Sequence, residues 1–352
     1  MELTGPYLTD LSKAELSAML SDWGEPNFRA GQVYGWLIRG VRPQNMTNLP
    51  KTLRERLCTL PFGGVEIYKK YTSAQDGTQK YLFQLEDENL VEGVLMRYHY
   101  GNTACISTQV GCNMGCKFCA STLEGCVRNL RVGELLGQVS AIEKDLEPVE
   151  GRDRAVTNVV LMGSGEPLDN YGNVVEFLHR LTSPEGMGIS PRNVSLSTCG
   201  VVPRMETFVN DAPHVTLSVS LHAHDNETRS SLMPINRVYP IEEVLAAADR
   251  YGRVTGRRVV FEYALIDGVN ASRADADALA KRLKGMLCHV NLIPLNPVPE
   301  RGLKGCSRPD ANAFALWLQQ NHVSATVRRE MGSDIQGACG QLRRRVMDEV
   351  RT

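Results

Sequence analysis

No stretch of this 352-residue chain holds about 18 consecutive apolar residues, so a membrane-spanning helix is not expected. The N-terminal MELTGPYLTDLSK has neither a basic n-region nor an apolar core, and an export signal is not expected either. Charge of neither sign is in excess: 39 Lys and Arg stand against 40 Asp and Glu, a net charge of −1. No global positive field therefore announces a polyanionic partner, although a local patch would suffice to bind one. What is present is ordinary globular composition, 42% hydrophobic and 22% charged, which excludes a largely disordered chain. At roughly 150 residues per domain, the length allows about two domains, or one large α/β domain with an appendage. Ten cysteines without an export signal point to reduced thiols with chemical roles in the cytoplasm, not to a disulfide framework.

The chain opens as a small helical unit. Residues 12–23 begin with a Ser cap and place Leu16, Met19 and Leu20 on one face. Further helices are expected at 30–39 and 51–57, between loops containing Pro26, Pro43 and Pro50. Arg29, Arg39, Arg42, Lys51, Arg54 and Arg56 face only Glu55 in that interval, a local excess of five positive charges. A solvated helical face and a contact to an RNA backbone are both open. Short β-like runs follow at 66–72, 78–85 and 91–98, with Gln75-Asp76-Gly77 as a turn between the first two. After Thr103, apolar β-branched runs at 155–162, 193–198, 215–221, 258–266, 289–294 and 324–328 alternate with helical periods at 133–146, 173–181, 241–251, 272–287 and 309–321. This alternation predicts a parallel sheet covered by helices, either a barrel or an open doubly wound sheet. In both, chemistry gathers at the C-terminal ends of the strands.

The strongest chemical signal is Gly111-Cys112-Asn113-Met114-Gly115-Cys116-Lys117-Phe118-Cys119. Three thiols on a glycine-containing loop can wrap one compact metal centre. A structural zinc or an iron–sulfur cube normally takes four protein ligands, so three leave one metal position open for a substrate or cofactor. Cys126 as a fourth ligand would instead make a zinc knuckle. Gly163-Ser164-Gly165-Glu166-Pro167 ends the next strand, where glycines admit a ligand and a carboxylate can accept from an amino group. Ser195–Thr198, Ser218–His222 and Asn296 end further strands. Together they set small polar groups around one mouth, as a bound cofactor requires.

Cys-x3-Cys-x2-Cys with an aromatic before the third cysteine resembles the radical S-adenosylmethionine (SAM) superfamily. The stretch VRREMGSDIQGACGQL at 327–342 and Ala104-Cys105-Ile106-Ser107 resemble the RNA adenine-C2 methyltransferases of the RlmN type. The C8-acting Cfr resistance enzymes are the sister branch, and Ala120-Ser121-Thr122 looks more like the C2 branch. The resemblance covers nearly the whole chain. It implies an α/β fold, a partial (βα)6 TIM-like barrel at 103–340 preceded by a helical RNA-binding accessory domain at 1–60 and a β-ribbon at 61–102. A helix or tail at 341–352 would end the chain. One [4Fe-4S] cluster would be held by Cys112, Cys116 and Cys119. SAM would lie against Gly165, Glu166, Ser197, Ser220, Leu221, His222 and Asn296. In the implied chemistry Cys339 carries a methyl group from one SAM, a radical from a second SAM activates it, and Cys105 resolves the resulting protein–RNA crosslink through a transient disulfide. Glu92 matches the proton acceptor. The implied substrates are 23S rRNA and tRNA, with flavodoxin or ferredoxin as electron donor and a monomeric, cytoplasmic enzyme. Cys58, Cys126, Cys199, Cys288 and Cys306 receive no role. A C8 methyltransferase and a non-catalytic zinc-stapled RNA-binding protein are the competing expectations.

If the basic interval holds phosphates, Arg39→Ala and Arg54→Ala should weaken RNA binding and lower the slope of log affinity against log salt by about one for each phosphate no longer neutralised. Binding isotherms over a salt series check this; an unaltered slope returns the interval to a solvated face.

Overall fold

The computed structural model describes residues 5–147, 154–343 and 345–346. Local chemistry explains the first helices. α1 (Lys13–Asp22) starts at a capping box: Ser12 Oγ accepts from Glu15 N at 3.2 Å, and the Glu15 carboxylate accepts from Ser12 N at 2.7 Å. α2 (Phe28–Ile38) buries Ala30, Val33, Tyr34, Leu37 and Ile38, and α3 (Lys51–Leu57) begins directly after Pro50. These apolar faces join the same continuous core as the rest of the molecule. Ser140 Oγ donates to Ile38 O at 2.9 Å and Arg180 donates to Thr9, Asp10 and Leu11 carbonyls, so the helical unit is tied to the main body by polar contacts too.

β1 (Glu66–Thr72), β2 (Gln79–Gln84) and β3 (Asn89–Tyr98) form an antiparallel meander, and β4 (Gly101–Cys105) pairs antiparallel with β3. β5 (Gln109–Gly111) and β6 (Cys126–Asn129) make a separate two-stranded ribbon. Strand and helix then alternate: α4 (Val132–Asp145), β7 (Val156–Leu161), α5 (Tyr171–Thr182), β8 (Val194–Thr198), α6 (Val202–Asp211) and β9 (Thr216–Ser220). α7 (Asn226–Leu232) and α8 (Ile241–Thr255) lead to β10 (Val259–Leu265), α9 (Arg273–Leu283), β11 (Cys288–Pro294), α10 (Arg308–Gln320) and β12 (Ala325–Val327). β13 (Arg345–Val346) pairs antiparallel with β3. The rest of the expected C-terminal helix or tail at 341–352 lies mostly outside the described residues.

The main sheet runs β1-β2-β3-β4-β7-β8-β9-β10-β11-β12, parallel from β4 onward. The six expected runs are β7 to β12, and β4 precedes them as a further parallel strand. The meander is thus not a separate ribbon but the continuation of this sheet. Residues of β3 and β4 meet residues of β11 and β12 across one cavity, so the sheet curls on itself, which an open doubly wound sheet would not do. One face of the strands, including Leu196, Leu217, Phe261 and Leu292, packs into the helix-covered core. The alternate positions, Asn158, Ser195, Ser218, Glu262 and Asn291, line the bore. The near-continuous apolar strands expected for a sheet buried on both faces are therefore apolar on the outer face and mixed within, where Met96, Val160 and Val260 stand among the polar groups. Among the described residues no helix is long and apolar enough to cross a membrane.

The basic interval is less unbalanced in space than in sequence. Arg42 pairs with Glu66 at 2.6 Å and Arg29 approaches Glu25 at 3.8 Å, both acids lying outside the interval. Arg39 and Arg56 lie over the Trp36 and Trp23 rings at 4.3 and 4.1 Å.

Arg229 of α7 is fully buried at the strand ends, where it donates to Cys199 O at 2.7 Å, Ser220 O at 3.3 Å and Asn236 Oδ1 at 2.9 Å. It fastens the ends of β8 and β9, on which the pocket-lining serines ride. Arg229→Met leaves these acceptors buried and unpaired, so chemical denaturation should show a loss of about 3 kcal/mol or more. A loss below about 1 kcal/mol would mean the carbonyls find other donors.

Candidate active site at the strand ends

The cysteine loop connects β5 to β6, so the ribbon rather than a barrel strand presents it. Gly111 has φ 83°, and a Cβ there would come within 1.9 Å of Gly125 O, so only glycine lets the two ribbon strands close. The loop is pinned from several sides. Lys117 N donates to Leu232 O at 2.8 Å, and Ala120 N to Gly340 O at 2.8 Å. Thr122 Oγ1 donates to Cys116 O and Cys119 O, while Arg301 bonds both Thr122 Oγ1 and Cys119 O. Cys112, Cys116 and Cys119 all line one cavity. Burial pushes their thiols up, Cys112 to about 12, so loading a metal must release protons.

Among the described residues no three His, Cys, Asp or Glu side chains converge tightly enough for one metal ion. Cys126 points its thiol to Arg128 O at 3.7 Å and does not line the cavity. Three thiols around a shared space, with the fourth side facing polar residues, suit a multi-iron cluster with one open iron better than a tetrahedral zinc.

Gly165, Glu166, Ser197, Ser220, His222 and Asn296 line that same cavity, as does Cys339. Glu166 is buried, which raises its carboxyl, although Oε1 accepts from Leu168 N at 3.0 Å and Oε2 from Cys199 N at 2.7 Å. Each oxygen keeps a lone pair for a cationic ligand group. His222 sits at φ 57°, a strained position for a non-glycine residue, and its Nδ1 accepts from Ala264 N at 2.9 Å. The proton is thus on Nε2, and burial holds the ring neutral by lowering its pKa to about 3. Phe118, the aromatic before the third cysteine, meets the His222 ring edge-on at 4.7 Å. Leu221 differs from its expected neighbours: its side chain is fully buried in the apolar core and does not line the cavity.

Asn296 has a further contact that the sequence did not reveal, donating from Nδ2 to Cys339 O at 3.0 Å. Cys105, on β4 opposite Val94, lines an adjoining small cavity with Cys339, Asn296 and Arg328. Burial pushes its thiol up to about 12, against the pull of Arg328. Glu92 stands apart. It is buried on β3, ion-paired with Lys80 at 3.4 Å, and accepts from Arg343 N at 2.9 Å beneath the C-terminal segment, outside both cavities. Glu262 and Arg328, unremarked in the sequence, line the cavity walls. The polar Glu262 in an apolar β10 run, and the arginine pair of VRREM, were the available signals.

A family model described as the radical SAM superfamily matches residues 106–280, and one described as the ribosomal RNA large subunit methyltransferase N-terminal domain matches 7–61. A protein of Lachnoclostridium phytofermentans named "Probable dual-specificity RNA methyltransferase RlmN" is 48% identical over 343 residues, covering 97% of this chain and 95% of the relative. A protein of the same name from Clostridium beijerinckii is 48% identical over 339 residues, covering 96% and 94%. The crystal structure of a radical SAM methyltransferase from Sphaerobacter thermophilus superposes with a TM-score of 0.91 at 44% identity, covering 96% of this chain and 99% of that one.

Replacing Cys112, Cys116 or Cys119 by Ala removes one of the three thiols that the loop presents to the cavity, and the other two thiols lining it, Cys199 and Cys339, lie on other segments. Iron content after anaerobic purification should fall to near zero and SAM cleavage should vanish in each variant. Full iron in any one of them would assign that cysteine elsewhere.

Proposed function

The chain belongs to the RlmN family of radical SAM RNA methyltransferases, and we propose that it methylates C2 of an adenosine in 23S rRNA and in tRNA. It does so in the cytoplasm as a monomer, with flavodoxin or ferredoxin as electron donor. Membership implies one [4Fe-4S] cluster and SAM, whose chemistry when bound is methyl donation and generation of a radical. Cys112, Cys116 and Cys119 would hold the cluster, and Gly165, Glu166, Ser197, Ser220, His222 and Asn296 would hold SAM, with Leu221 contributing backbone alone. Adenine C2 lies between two ring nitrogens and lacks the nucleophilicity to displace a methyl group from a sulfonium. A carrier thiol and a radical route answer that difficulty.

The observation that supports this reading is that Cys105 and Cys339 line one cavity while Cys339 also lines the cavity of the cysteine triad. One thiol can thus receive a methyl group beside the cofactor, and the second can reach it afterwards. In the release step the Cys105 thiolate attacks Cys339 Sγ. The S–S bond forms, the C–S bond to RNA breaks, and its electron pair goes to the former methylene carbon, which then takes a proton. Glu92 acts as acceptor for the C2 proton. Its oxygens are engaged by Lys80 and Arg343 N, so this role requires the 341–343 segment to shift when RNA enters.

Cys105→Ala should accumulate a covalent, nuclease-sensitive protein–RNA adduct on denaturing gels, and the Cys105→Ala/Cys339→Ala double variant should show none. Because burial raises the Cys105 thiol, its thiolate fraction grows about tenfold per pH unit below its pKa. Adduct release in the unaltered enzyme should accelerate with pH accordingly between about pH 6.5 and 8.5. Normal turnover by Cys105→Ala would rule out the two-thiol scheme. Nucleoside mass spectrometry of RNA from these reactions separates 2-methyladenosine from the 8-methyladenosine of the sister branch.

A further inference from the structure

The bore of the barrel holds two charged side chains to which the methylation scheme gives no role. Glu262, on β10, is 4% exposed and engages only one carboxylate oxygen, Oε1 accepting from Asn291 Nδ2 at 3.2 Å. Its Oε2 is buried without a hydrogen-bond partner. Leaving a carboxylate oxygen dry and unpaired is costly, and such a group in a cavity wall marks a place where a donor is missing. Arg328 follows β12 on the same concave face, and its guanidinium bonds Met162 Sδ at 3.9 Å, a weak acceptor. Both residues line the upper cavity shared with Cys339 and the lower bore, a space of about 410 Å³. Glu262, Arg328 and Cys339 all line the upper cavity, so the three groups face one space.

A flat ligand seated in that space needs a donor toward Glu262 and, beside it, an acceptor toward Arg328. The Watson–Crick edge of adenine has this order: the N6 amino group donates and N1 accepts, and a base taken out of its stack is commonly recognised by this edge. Guanine reverses it, setting O6 against the carboxylate and N1–H against the guanidinium. C2 is bonded to N1, so an Arg328–N1 contact brings C2 to the side of the cavity where Cys339 lies.

We propose that Glu262 and Arg328 recognise the Watson–Crick edge of the target adenine, Glu262 accepting from N6–H and Arg328 donating to N1, which turns C2 toward Cys339. This assignment rests on the adenine-C2 reading above and adds the residues that choose the base.

The test pairs side-chain and base changes in the full-length, cluster-loaded enzyme. RNA hairpins carry adenosine, purine riboside (no amino group) or 1-deazaadenosine (no N1) at the target position, and kcat/KM for methylation is measured for each. The unaltered enzyme should prefer adenosine over purine riboside by about 10- to 100-fold. Glu262→Leu should lose activity on adenosine and compress that preference to within about threefold, because the amino group then has no partner to lose. Arg328→Met should do the same for adenosine against 1-deazaadenosine. Removing an unpaired buried carboxylate relieves a folding cost, so Glu262→Leu should fold. The isosteric E262Q, which keeps an acceptor but loses the charge, should retain an intermediate preference. SAM affinity by equilibrium dialysis should stay within about twofold in all variants.

A Glu262→Leu enzyme that keeps the full adenosine preference overturns the proposal. So does a SAM affinity weakened tenfold or more with the preference intact, since the carboxylate would then serve the cofactor. Failure of the underlying reading looks different: 8-methyladenosine as product removes the C2 assignment, while a lost preference in Glu262→Leu would still tie Glu262 to the amino group.

Discussion

The C-terminal segment laid across the barrel mouth is the constraint on which the site depends. Asn296 holds the Cys339 carbonyl, and Ala120 N in the cysteine loop holds the Gly340 carbonyl. Ser121 Oγ holds Leu342 O at 2.6 Å, and Gln341 Nε2 reaches Pro297 O at 3.1 Å. Gly340 adopts φ 81°, which lets the chain reverse there without a Cβ penalty. These bonds join the two halves of the chemistry, the cysteine loop near residue 116 and Cys339, which are more than two hundred residues apart. Beyond them β13 adds Arg345 and Val346 to the edge of β3, so the segment is tied both to the loop and to the sheet.

The curl of the sheet divides the strand residues into two populations with opposite duties. Outward residues such as Leu196, Val219, Phe261 and Leu292 supply the apolar burial that holds the fold. Many inward residues are serines, asparagines and charges, which add little apolar burial. Buried polar groups near the strand ends are tolerated where neighbours satisfy them. Arg229 is saturated by carbonyls, and Asn270 bridges His222 O, Ala264 O and Ile266 N. Glu262 Oε2, on the bore wall, is among the buried polar atoms that no neighbour satisfies.

The same logic separates the cysteines. Cys126 carries the same thiol but turns to Arg128 O and stays out of the cavity, whereas Cys199 lines the cavity from the end of β8, its backbone N donating to Glu166. The residues flanking the triad, Thr122 and Arg301 among them, fix the loop through its carbonyls and leave the three sulfurs free to face the cavity.

Strand and helix positions and the spacing of the cysteine triad were legible in the sequence because each is a short-range pattern: a period, a cap or a spacing. The apolar periods at 155–162 and beyond appear as β7 to β12, and the Ser12 cap appears as the start of α1. The roles proposed for Cys105 and Cys339 rest on motifs, since an isolated buried cysteine looks like any small apolar side chain. What tertiary structure alone decided depends on distances between segments far apart in the chain. The burial of Glu92 against Lys80 and Arg343, the neutralisation of Arg42 by Glu66, and the merger of the meander with the barrel sheet are of this kind. So is the meeting of Glu262, Arg328 and Cys339. Periodicity along a strand tells which residues share a face, but only the closing of the sheet tells which faces share a space.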